Sequence, residues 1–169
     1  MFNTSIKSQN WGYQDLMQYR IHEILLVSSP YDAFILEEDG KLTEQILSEY
    51  IGMNLSYAPR VWNANSAKNA TEMIGNRFFD VIIVMMRISD MDPIKFSKQI
   101  KKKYPKKPIV LLAFDQSEIK NLSLYDQDIF DEIFIWSGNS NVFPAIIKCI
   151  EDKKNIAKDV KTADVRTIL

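Results

Sequence analysis

The feature that most limits how this chain can fold is the run Val81 to Met86 (VIIVMM). It has no polar side chain, is led in by Phe78-Phe79-Asp80, and is followed at once by RISDMDP. An apolar strand without polar alternation suits a sheet covered on both faces by helices, as parallel sheets are, better than a sheet with one wet face. In open parallel sheets, ligands bind at the carboxyl ends of the strands. The residue types at Met85 and from Arg87 to Asp92 therefore decide what chemistry is available.

The same alternation of strand and helix signals runs through the rest of the chain. Trp11 to Arg20, with Trp11, Leu16, Met17 and Tyr19, reads as a short amphipathic helix. Glu23 to Val27 (EILLV) reads as a buried strand stopped at Ser28-Ser29-Pro30. Asp32 to Asp39 reads as an irregular approach, broken at Gly40 from a helix carrying Leu42, Ile46, Leu47 and Tyr50. Arg60 to Trp62 is a weak second strand, and Ser66 is placed to cap a helix running through Met73 and Ile74 to Gly75. After the organising strand, Asp92-Pro93 has the form of an N-cap plus first helical residue, where a missing N–H costs nothing. That helix carries Ile94, Phe96 and Ile100 and ends in lysines, suited to its carboxyl end. Pro108 to Phe114 is a fourth strand, Ser117 to Tyr125 a modest helix, Glu132 to Trp136 a fifth strand, and Asn141 to Ile150 the start of a last helix. Five alternations with short connections predict a doubly wound α/β domain with right-handed crossovers.

At 169 residues the chain suits one domain with extensions. The reading is an N-terminal helical extension over 1–21, the domain over 22–153, and a linker over 154–169 leading toward a further domain, because VRTIL at 165–169 resembles the opening of another strand. Twenty-one basic against twenty-two acidic residues give a net charge of −1, so no global field favours nucleic acid or an anionic membrane. Cys149 stands alone, which excludes an internal disulfide and a cysteine metal cluster. No apolar stretch is long enough for a membrane helix, and the N-terminus lacks the core of a signal peptide, so cytoplasmic residence is expected.

The segments ILLV followed by a residue pair, DVIIV followed by a polar loop ending in MDP, PIVLL and DEIFI together resemble the receiver domain of two-component response regulators. The resemblance spans roughly residues 22 to 153 and implies a flavodoxin-like fold with strand order 2-1-3-4-5. Receivers carry an acidic pair after the first strand, a phosphoacceptor aspartate at the end of the third, a hydroxyl residue after the fourth and a lysine after the fifth. Here those positions fall on Ser28 and Ser29, Met85, Ala113 and Trp136. A thioether and neutral hydroxyls are poor Mg²⁺ ligands, and Met85 has no oxygen to phosphorylate. The resemblance is therefore to a pseudo-receiver, without catalysis, cofactor or metal. A narrower resemblance runs through YRIHEILLVSSPYDAFILEEDGKL, MMRISDMDP and IFIWSGN. It is to the N-terminal receiver-like segment of large bacterial proteins related to phosphoenolpyruvate synthase and pyruvate phosphate dikinase.

The remaining candidates read plainly. Asp32, Glu37, Glu38 and Asp39 form a solvated loop, Asp90 serves turn chemistry and Asp92 a helix cap. His22 is the sole histidine and precedes the first strand, so a His-paired nucleophile cannot be assembled. Cys149 reads as a buried structural thiol. Lys98, Lys101, Lys102, Lys103, Lys106 and Lys107 serve the helix dipole and solubility, and the five glycines make no phosphate loop. Phe130, Trp136 and Phe143 form a candidate interaction face, with Trp136 also able to fill the space of the lost phosphorylation pocket. The expected function is a phosphorylation-independent regulatory or protein-interaction module, with protein partners or further domains and a possible homodimer. The alternative is a small-ligand sensor with an apolar pocket at the strand carboxyl ends.

Overall fold

The computed structural model describes residues 19–38, 41–52, 57–138 and 141–167, with side chains through 159. Five strands, β1 (Glu23–Val27), β2 (Arg60–Ala64), β3 (Val81–Met85), β4 (Ile109–Ala113) and β5 (Glu132–Ile135), form one parallel sheet of order β2-β1-β3-β4-β5. This is the predicted order. The register aligns Glu23 with Arg60, Ile24 with Val81, Ile82 with Ile109 and Val110 with Glu132. β3 and β4 are buried at every position, the consequence of central strands with helices on both faces.

Side chains alternate across the pleat and divide the core in two. On one face Ile24, Leu26, Val81, Ile83, Met85, Val110 and Leu112 pack against α1 (Pro30–Glu38), α2 (Leu42–Gly52) and the first turns of α7 (Val142–Thr167). On the other face Leu25, Val27, Ile82, Val84, Ile109 and Leu111 meet α3 (Ala67–Asn76) and α4 (Pro93–Lys103). Two short helices, α5 (Gln116–Lys120) and α6 (Leu124–Gln127), connect β4 to β5.

Local chemistry explains most helix starts. Ser66 Oγ accepts the Asn69 N–H, and Asp92 accepts the Lys95 N–H with Pro93 next in line, both as the sequence predicts. Ser29 Oγ likewise accepts the Asp32 N–H at the head of α1. The irregular approach expected over Asp32 to Asp39 is thus helical through Glu38. Its apolar residues, Ala33-Phe34-Ile35-Leu36, are contiguous and show no helical spacing, although Leu36 alone of the four is fully buried.

Three further boundaries differ from expectation. β2 continues through Ala64, and the single helix expected over Ser117 to Tyr125 is two, with Asp115 and Ser123 as separate caps. The last helix, expected to begin over Asn141 to Ile150, runs on to Thr167, and Val165 to Thr167 are helical, not the opening of a strand. No Gly or Pro interrupts it after Pro144, and Glu, Lys and Ala sustain helix without burial. Of the N-terminal helix expected over Trp11 to Arg20, only Tyr19 and Arg20 are described, outside regular structure; the rest lies outside the described residues.

Candidate functional site

Chain order in the sheet reverses between β1 and β3, which opens the crevice where doubly wound sheets place their ligands. Val27 pairs with Val84, and Met85 with Leu112, so Ser28 stands level with Met85 on the same face. Ser28 is buried and its hydroxyl has no hydrogen-bond partner among the described residues. Met85 is fully buried and floors the crevice with a thioether. Ser29, the second residue of the pair, serves as the cap of α1.

One pleat higher on that face stand Arg87, Phe114 and Trp136. They stack in sequence across the carboxyl end of the sheet. The Arg87 guanidinium lies 4.9 Å from the Phe114 ring centroid, and Phe114 meets Trp136 edge-to-face at 5.3 Å. Trp136 is buried, and its indole N–H has no partner among the described residues. Phe114 is held in place by its own N–H, which donates to Glu118 Oε2 at 2.8 Å.

The charge at the site is a pair that sequence reasoning missed. Asp32, expected in a solvated loop, is 0% exposed and faces Arg87. Arg87 Nε donates to Asp32 Oδ2 at 3.1 Å, and Nη2 lies 2.9 Å from Oδ1 as an ion-pair contact outside hydrogen-bond geometry. The Arg87 side chain is 55% exposed, so the guanidinium bridges buried carboxylate and solvent. A readable signal existed: an aspartate in the first turn after β1 and an arginine two residues past β3 must meet if those strands are neighbours.

Asp90 has a role besides turn formation. Its oxygens accept the Ala67 and Lys68 N–H groups at 2.7 and 3.0 Å, so it caps α3 together with Ser66. Those N–H donors hold its carboxyl below the usual range.

The other sequence candidates disperse. Ala113 is buried at the end of β4. Phe130, Trp136 and Phe143 are 7%, 8% and 1% exposed, core residues divided between the two faces of the sheet, and do not form a surface. The exposed apolar side chains near them are Leu124, Tyr125 and Ile135. His22 sits at the opposite end of the sheet, where its backbone N–H donates to Asp80. Cys149 is half-buried, and burial followed by the neighbouring Glu132 pushes its thiol up. Lys98 pairs with Asp126 at 2.8 Å and Lys101 with Asp131 at 2.6 Å. Among the described residues no group of three or more His, Cys, Asp or Glu is placed to hold a metal, and no helix is long and apolar enough to cross a membrane.

These features define a doubly wound, CheY-like receiver fold of the flavodoxin type. Solved structures agree. A response regulator receiver domain from Clostridium thermocellum superimposes with a TM-score of 0.61 at 17% identity, over 81% of this chain and 99% of that one. The Thermotoga maritima response regulator TrrA, solved with Mg²⁺ and beryllofluoride, gives 0.57 at 18% identity over 77% and 99%. NtrX from Brucella abortus gives 0.64 at 15% identity over 85% of this chain but only 29% of that longer one. No protein-family profile matches the sequence, and no curated protein matches it.

Proposed function

We propose that this chain is a receiver-like regulatory module that works through protein contacts without aspartyl phosphorylation. We place it in the cytoplasm, within a larger protein related to bacterial phosphoenolpyruvate synthase and pyruvate phosphate dikinase. The observation that carries this reading is the Asp32–Arg87 pair above a Met85 floor. A phosphoacceptor must offer an oxygen, and Mg²⁺ requires hard oxygen ligands. Met85 supplies neither, and the carboxylate nearest the crevice is already matched by a guanidinium. Exposed Leu124, Tyr125 and Ile135, around α6 and the end of edge strand β5, support contact with a protein partner, a further domain or a second copy, and neither nucleic acid nor a membrane is invoked.

The test is tryptophan fluorescence of the folded chain, with Trp136 as reporter, titrated with Mg²⁺ and then beryllofluoride. No response is expected. A saturable change lost in Asp32→Asn overturns the reading. Mass measured against concentration then reports self-association.

A second reading, a small-ligand sensor at the same crevice, is favoured by the unpartnered Ser28 hydroxyl and Trp136 N–H, both buried. A ligand accepting from both would quench or shift Trp136, and Ser28→Ala would weaken that response.

A further inference from the structure

At the opposite end of the sheet, where strands begin, lies a groove of about 510 Å³. Phe78 and Asp80 contribute from the approach to β3, Tyr104 to Pro108 from the loop into β4, Tyr19 from the approach to β1 and Lys154 from α7. Phe78 leaves 68% of its surface exposed, an unusual state for a phenyl ring inside a concave surface. Its face carries a cation already: Lys107 Nζ lies 3.8 Å from the ring centroid, and the same ammonium donates to the Phe79 carbonyl. Lys103 lies 5.4 Å from the Tyr104 ring, and Lys154 donates to the Lys106 carbonyl at 3.1 Å.

The charges in the groove do not balance. Among the described residues lining it, Lys103, Lys106, Lys107 and Lys154 meet a single carboxylate, Asp80. That carboxylate is committed, since its Oδ2 accepts the His22 and Glu23 N–H groups at 2.8 and 2.9 Å. Tyr19 adds no negative charge, because burial and Asp80 push its phenol up to about 12. Lys107 feels its surroundings: burial lowers its pKa, so a neighbouring anion would relieve it.

We propose that this groove binds a small aromatic anion of the nucleoside monophosphate class, its flat ring against Phe78 and its phosphate among the ammoniums of Lys103, Lys106 and Lys154. The inference goes beyond the regulatory reading and uses none of the residues on which that reading rests. Three features select the occupant. The surplus of positive charge calls for an anion, the part of the Phe78 ring that Lys107 leaves exposed calls for a planar ring, and the volume falls in the small-molecule range of roughly 300–1,000 Å³. The chain's own residues 1–18 contain one lysine and one aspartate, so they bring no net negative charge to balance the groove.

The experiment is amide-resolved NMR of the full chain titrated with adenosine 5′-monophosphate, with adenosine and inorganic phosphate as separate probes. Saturable shifts are expected around residues 78, 103–108 and 154, with both partial probes weaker. Phe78→Ala should weaken binding about ten-fold, within the range for loss of one aromatic stack. Lys106→Glu, a surface change that leaves the core intact, should weaken it and reduce its salt dependence. The proposal is overturned if millimolar nucleotide leaves these amides unmoved, or if the shifts centre on Ser28 and Met85. It is overturned equally if phosphate alone reproduces the effect, or if neither substitution changes the affinity.

Discussion

Removing either member of the Asp32–Arg87 pair should reveal a marked asymmetry. In Arg87→Ala the fully buried Asp32 carboxylate keeps its place but loses the guanidinium that pairs with it. Breaking a buried pair from that side costs about 3–5 kcal/mol when both partners are buried. Because the Arg87 side chain is 55% exposed, water reaches the vacated position and the expected cost falls to about 2–3 kcal/mol. Asp32→Ala instead releases a guanidinium that can turn into solvent. It forfeits one charge-assisted hydrogen bond and a favourable acid near the start of α1, about 1 kcal/mol together after the same discount. Urea unfolding followed by far-ultraviolet circular dichroism measures both, and the double variant closes the cycle. The midpoint should fall further for Arg87→Ala than for Asp32→Ala, and Asp32→Ala should rescue part of the loss in Arg87→Ala. Equal costs, or an additive double variant, would refute the idea that Arg87 serves a buried charge.

Other consequences can be measured on the same protein. Asp80→Ala strips an acceptor from the His22 and Glu23 N–H groups and should cost about 2–3 kcal/mol, read as a lowered Tm. Met85→Asp places a carboxylate in a fully buried position; it should destabilise by about 3 kcal/mol or more and still give no beryllofluoride response, since Ser28 and Ser29 remain neutral. Ser66→Ala should cost about 1 kcal/mol through loss of one cap of α3, observable as a shifted urea midpoint. Glu151 is buried and its carboxyl is raised above the ordinary 4.5, so the folded state holds that proton more tightly than the unfolded. Its contribution is therefore present below 4.5 and is lost as pH rises through the raised value. Glu151→Gln, which keeps an acceptor for the Ile21 N–H, should flatten that part of the stability curve.

The sheet was readable because its strands are extreme. VIIVM and IVLLA admit no wet face, and caps such as Asp92-Pro93 punctuate what lies between them. Where physics spreads over longer distances the sequence is quieter. α1 hides because AFIL has no helical spacing, and α7 hides its second half because a charged run needs no core to stay helical. At the site, the thioether of Met85 at the carboxyl end of β3 is legible from position alone. The Asp32–Arg87 pair is legible only once β1 and β3 are taken as neighbours, since it joins a helix and a loop that this pairing brings together. Phe130, Trp136 and Phe143 misled because aromatic composition is the same for a core as for an interface.

The all-parallel sheet also governs how the molecule must be made. No two sequence-adjacent strands can zip across a tight turn, because each pairing waits for an intervening helix to cross over. β1 needs partners on both sides, and they arrive in sequence only at residues 60–64 and 81–84. During synthesis the apolar segment EILLV therefore emerges with both its edges open until β2 has left the ribosome, and with one edge open until β3 has followed. Folding should be slow for a chain of this size, and its hazard is concentrated in that interval. Any chaperone dependence should map to β1 and not to the fully buried β3 and β4 that organise the finished core.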